Sequence, residues 1–120
     1  MKALVVINPI AGPGRTRTIG ACVDLAKSTL ASHHYDADIR ITEGPQDAFR
    51  FGREAVEAGV DVVIAWGGDG TVNGCASAVA STNVSLAIIP GGSGNGLARD
   101  LAIFTLSAEH EIVFFYGDSE

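Results

Sequence analysis

A chain of 120 residues with 47% hydrophobic and 18% charged side chains has the size of one folded domain that buries about two-thirds of its unfolded surface. Its formal net charge of −6 argues against general nucleic-acid binding and provides no polybasic membrane anchor. No apolar run approaches the ~18 residues of a membrane span. The two cysteines, Cys22 and Cys75, form neither a CxxC pair nor a disulfide framework, so they read as reduced, structural and cytoplasmic.

The opening MKALVVINP has one lysine and an apolar run that stops at Asn8-Pro9, too short for a secretory leader. Residues 2–7 therefore read as a first strand. The loop NPIAGPGR follows, then a helix over about residues 16–32. Residues 37–42 (ADIRIT) alternate apolar and polar, which suits a strand near a sheet edge. TEGPQDAFRFGREAVEAG predicts a second helix, with Pro45 in its first turn and Gly59 at its carboxyl cap. Residues 61–65 (DVVIA) predict a third strand buried on both faces, and residues 72–81 a short helix beyond a glycine loop. Residues 85–89 (SLAII) make a fourth strand running into PGGSGNGLARDL and another helix. After Leu101 the character changes: residues 102–120 offer one apolar run, Ile112 to Tyr116, read as a final strand or a loosely tethered tail.

A β-loop-α unit repeated four times predicts an α/β fold: an open parallel, Rossmann-like sheet in three α/β/α layers. Continuous Val and Ile runs suit strands covered on both faces. In such sheets ligands sit beyond the carboxyl ends of the strands. Three glycine-bearing loops leave such ends: Asn8 to Gly12, Gly67-Gly68-Asp69-Gly70-Thr71, and Gly91 to Gly96. Bare backbone there brings N–H groups close to a polyanion, and the following helix start adds partial positive charge. A negatively charged chain can hold nucleotide phosphates in this way. Two other phosphate motifs are missing. GGSGNGL has Leu97 where GxGxxG needs its last glycine, and neither Lys2 nor Lys27 follows a glycine as a Walker lysine would.

Asp69 needs its own reason, since a carboxylate repels a phosphate by about 1 kcal/mol in water and by more where solvent is excluded. It either accepts or orients a hydroxyl proton or holds a Mg²⁺ that bridges phosphates. The plainer reading is a helix N-cap, with Thr71 as the rival cap. His33, His34 and His110 lack partners at metal-ligand spacing and read as solvated. Ser93 has no triad partners near it and reads as a phosphate-binding hydroxyl. Arg15 and Arg99 read equally as phosphate partners or solvated helix charges.

Together the three loops resemble the catalytic domain of the diacylglycerol kinase and sphingosine kinase family, related more distantly to NAD kinases, which share GGDGT. The resemblance covers roughly residues 2–101. It rests on Asn8-Pro9 with Gly12, on Gly67-Gly68-Asp69-Gly70-Thr71-Val72-Asn73, on IIPGGSGNGLARDL, and on Thr42 before EGPQDA. It implies an ATP-binding domain, residues 1–101 here, whose β-sandwich partner domain carries the lipid pocket and is absent from this chain. Carried over by position, Asn8, Thr42, Gly67, Gly68, Asp69, Gly70, Thr71, Val72, Asn73 and Ser93 would contact ATP. Asp69 would be the acid at the transferring phosphate and the partner of Mg²⁺ in Mg·ATP, and Asn95 would shape the third loop. The implied function is an ATP-dependent lipid kinase acting on a diacylglycerol-type or sphingoid-type hydroxyl. Its partners would be ATP, a lipid acceptor, the membrane surface and a second copy meeting at the apolar surface left uncovered. A nucleotide-binding module without turnover and a NAD kinase-like enzyme are the alternatives. Two positions depart from the family pattern. Gly74 stands where a glutamate is usual, and Trp66 stands where a small residue is common, either packed under the loop or flanking the adenine.

Overall fold

The computed structural model describes residues 1–9 and 19–89, together with the backbone alone at residues 90, 103–104 and 112–115. In chain order the elements are β1 (Lys2–Ile7), α1 (Ile19–Ser32), β2 (Asp36–Ile41), α2 (Asp47–Ala58), β3 (Val62–Gly67), α3 (Asp69–Val79), β4 (Ser85–Pro90), β5 (Ile103–Phe104) and β6 (Ile112–Phe115). One sheet holds all six strands in the order β2-β1-β3-β4-β6-β5. Every pairing is parallel except that of the two-residue β5, which runs antiparallel to β6. The apolar run from Ile112 is therefore a sheet strand, while the short β5 had no counterpart in the sequence reading. The helix expected after β4 lies outside the described residues, as do residues 16–18 of the first expected helix.

Strand alternation sorts the core into two faces. Val5, Ile7, Val62, Ile64, Trp66, Ala87 and Ile89 pack against Cys22, Ala26 and Leu30 of α1. Leu4, Val6, Val63, Ala65 and Leu86 pack against Phe51 and Ala55 of α2 and Cys75 and Val79 of α3. Helices thus cover both sides of the sheet in three layers, as expected. The central β3 is buried along its whole length, whereas β2 at the edge has only exposed and half-buried residues. Among the described residues no helix is long and apolar enough to cross a membrane.

Three of the element boundaries that differ from the sequence reading bear on the site. β3 runs two residues further than expected, through Trp66 and Gly67, and α3 begins at Asp69 rather than at residue 72. The glycine stretch is therefore a strand end joined to a helix start by Gly68 alone. The second helix begins at Asp47, so Pro45 sits in a turn ahead of it instead of in its first turn. Gly59 does close α2, at φ 82°, its N–H donating to the Ala55 and Val56 carbonyls.

Leaving β1 the chain crosses through α1 to β2 on one face. It then returns over β1 through α2 to β3 on the other. The strand order reverses between β1 and β3, and a crevice opens at their carboxyl ends.

Candidate functional site

The end of β1 is stitched to both of its neighbours. Thr42 N donates to Ile7 O at 2.9 Å, and Asn8 N donates to Trp66 O at 3.0 Å. Asn8, Thr42 and the start of α3 are therefore gathered at one edge of the sheet. Gly67 makes the junction close. A Cβ on it would lie 2.8 Å from Thr71 Oγ1, closer than real Cβ atoms come, and a tight 3.0 Å from Asn8 Cβ. Missing that atom, the Asn8 and Thr71 side chains flank the same strand end.

Gly68 holds the N-cap position, in an extended conformation with no side-chain cap bond. Asp69 is the first helical residue and is exposed, so neither it nor Thr71 is the cap. Thr71 is instead buried, at 4% exposure, and its hydroxyl forms no hydrogen bond to another described residue. A buried hydroxyl ordinarily has a partner. Thr71 also lines open space at this edge.

That space consists of two adjoining cavities of 330 and 240 Å³ that share Asn8, Thr42, Gly44 and Pro45. The larger adds Glu43, and the smaller adds Ala48, Gly70 and Thr71. The helix starts at Asp47 and Asp69 both reach this edge, so their positive dipole ends favour an anion.

The sequence does not single out the wall residues Glu43, Gly44, Pro45 and Ala48 as site residues. The signal was present: Gly-Pro marks a turn, and an acid two residues later marks a helix start. Glu43 N and Gly44 N donate to Asp47 Oδ2 at 2.8 and 3.1 Å, and Arg50 Nη2 donates to Asp47 Oδ1 at 2.8 Å. The Glu43 amide first, and the Arg50 guanidinium next, hold the Asp47 carboxyl below its ordinary range.

Other expected site residues fall elsewhere. Val72 packs half-buried on the α2–α3 side of the core, and Asn73 is exposed further along α3. Trp66 is 3% exposed and points into the core beneath α1. Ser93, Asn95, Arg15, Arg99 and the loops at residues 10–12 and 91–96 lie outside the described residues. Gly74, where the resemblance leads one to expect a glutamate, faces α2. A Cβ there would stand 2.8 Å from Ala48 Cβ and 3.0 Å from Phe49 N. The two helices approach too closely for any side chain, and the position serves packing. Burial pushes the Cys75 thiol up to about 12, which leaves it inert as a nucleophile.

Among the described residues no three His, Cys, Asp or Glu side chains cluster to hold a metal. A lone exposed carboxylate such as Asp69 fits a Mg²⁺ that arrives on phosphates and keeps most of its water, rather than a protein cage.

Comparison with known proteins places this geometry in context. Residues 2–114 match the family described as "Diacylglycerol kinase catalytic domain". The "Diacylglycerol kinase" of Mycobacterium tuberculosis H37Rv is 35% identical over 107 residues, covering 87% of this chain and 33% of its own length. A crystal structure of a diacylglycerol kinase from Bacillus anthracis superposes with a TM-score of 0.62 at 32% identity, covering 86% of this chain and 34% of that one. The chain spans about a third or less of the length of the curated relatives it matches.

Proposed function

The chain belongs to the diacylglycerol kinase catalytic-domain family, and from that premise we propose that it binds Mg·ATP in the cavity at the ends of β1 and β3 for phosphoryl transfer to a lipid hydroxyl of the diacylglycerol or sphingoid type. One observation carries this reading. The Asn8, Thr42 and Thr71 side chains, which arrive from three different elements, line one cavity beside bare backbone at Gly70. The buried Thr71 hydroxyl has no partner among the described residues. Residues 1–101 form the nucleotide-binding unit in this reading.

Phosphoryl transfer needs mainly positioning and neutralisation of spread charge. The amides at the start of α3 and the Asn8, Thr42 and Thr71 side chains orient the phosphates. Ser93 and Asn95 contribute from the third loop. Asp69, exposed at the helix start, accepts the proton of the lipid hydroxyl as its oxygen bonds to the γ-phosphorus and the bond to the β,γ-bridging oxygen breaks, releasing ADP. In the alternative role Asp69 would hold a Mg²⁺ arriving on the phosphates, which would supply further neutralisation of negative charge.

The test is transfer of labelled phosphate from ATP to diacylglycerol or sphingosine in mixed micelles, with Asp69→Asn as the comparison. Labelled lipid that disappears in the variant supports the kinase reading. Tight ATP binding with no labelled product from any lipid favours a nucleotide-binding module. Transfer to NAD in place of lipid favours a NAD kinase-like enzyme.

A further inference from the structure

Residues 42–45 form a cavity wall that is neither helix nor strand. Such backbone must find its hydrogen bonds elsewhere. Thr42 N uses Ile7 O, while the next two amides converge on a single carboxylate oxygen, Asp47 Oδ2, at 2.8 and 3.1 Å. Asp47 N returns a bond to Gly44 O at 3.2 Å, closing the turn on itself.

The carboxylate is anchored in its turn. Arg50 Nη2 grips Oδ1 at 2.8 Å, and the Arg50 guanidinium lies 4.9 Å from the centroid of the Phe51 ring. Arg40 of β2 stands 4.0 Å from the same centroid and donates to Glu54 Oε1 at 3.1 Å. Phe51 belongs to the core, at 5% exposure. Contacts therefore run without a gap from a core ring, through Arg50 and Asp47, to the backbone facing the cavity. The Asp47 side chain itself is 16% exposed and does not line the cavity.

We propose that Asp47 is a positioning residue for the nucleotide: its carboxylate fixes the Glu43–Pro45 wall, and Arg50 fixes the carboxylate. The inference rests on the cavity being the nucleotide site. The charged groups around Asp47 are Arg50 and Glu54 on α2, Glu43 on the wall and, through Glu54, Arg40 on β2. An amide-to-carboxylate bond is charge-assisted and stronger than a neutral one, so its loss reaches bound ligand through Glu43 and Gly44.

The experiment compares the 120-residue chain with Asp47→Ala and Asp47→Asn, reading Mg·ATP affinity and, without nucleotide, the Glu43 and Gly44 amide proton shifts. Asp47→Ala moves both amides upfield and weakens ATP about tenfold. Asp47→Asn keeps a carbonyl oxygen that accepts both amides, so it stays within about threefold of the parent. If Asp47→Ala does not fold, Arg50→Ala carries the test. It leaves the carboxylate but frees it, shifting the two amides and weakening ATP about threefold. A folded Asp47→Ala that binds ATP as the parent does overturns the proposal. So do equal losses in Asp47→Ala and Asp47→Asn with both amides unmoved, or an Arg50→Ala indistinguishable from the parent. A parent chain that does not bind ATP at all, with the amides moving as described, defeats the nucleotide reading and this role together.

Discussion

On one side of the cavity the β3–α3 junction contributes the bare backbone of Gly70 and the Thr71 side chain, and a single added carbon at Gly67 behind them would crowd Thr71 and Asn8. On the other side the Glu43–Asp47 segment depends on side chains, its amides converging on one carboxylate that an arginine holds in turn. The first wall is sensitive to addition at Gly67, where its shape comes from a missing atom. The second is sensitive to deletion, because its shape comes from bonds that must be made. Substitutions on the two walls therefore fail in opposite directions, and that contrast is open to measurement.

The largest expected effect lies at the glycine wall. Asp69→Asn lowers phosphate transfer to lipid by about 100-fold or more, in line with loss of a general base. Its melting temperature stays that of the parent because Asp69 is exposed. A variant with near-parent rates would remove the chemistry from this wall. Gly67→Ala comes next, costing about 1–3 kcal/mol of stability for an overpacked contact. Urea unfolding that shows no loss would mean the junction is looser than the 2.8 Å approach implies.

Thr71→Val sharpens the contrast further. The valine keeps the shape and discards a hydroxyl that has no partner among the described residues, so stability is unchanged or slightly raised while ATP affinity falls about fivefold. Equal losses of both would make the hydroxyl structural. The smallest effect comes from acid acting on the second wall. The carboxyl of Asp47 is held below its ordinary value of 3.8. Its contribution is therefore complete above that value and is lost as pH falls through the lower folded one. Amide spectra between about pH 5 and pH 2 should show Glu43 and Gly44 moving together at the acid end. Movement complete above pH 4 would contradict the depressed value.

Much of this architecture is written in the sequence. Unbroken runs such as LVVI and VVIA have no polar face to give to solvent, so they specify central parallel strands, and the alternating ADIRI specifies the edge. Asn8, Thr42 and the GGDGT stretch lie at strand ends by their place in the pattern, which makes their meeting at one edge legible. The helix start at Asp69 was harder to read. Glycine argues against helix in an interior, but in a first turn the N–H groups have no intrahelical partner anyway, and Gly68 and Gly70 sit there at little cost. The wall turn was hidden for a related reason: a proline suits a first helical turn, yet the Asp47 carboxylate bonds backward to Glu43 and Gly44 and sets the start two residues later. Trp66 and Gly74 were matters of register. Alternation along β3 sends Trp66 under α1, and helix–helix contact at Ala48 reserves Gly74 for packing. Neither follows from local sequence.

The most direct measurement is a titration of the isotope-labelled 120-residue chain with Mg·ATP, followed through its amide spectrum. Saturable shifts should concentrate at Asn8, Thr42, Gly70 and Thr71, leaving Asp36 and Asp61, at the opposite ends of their strands, unmoved. A spectrum untouched by ATP, or one whose shifts gather at that opposite edge, would contradict nucleotide binding where β1 and β3 end.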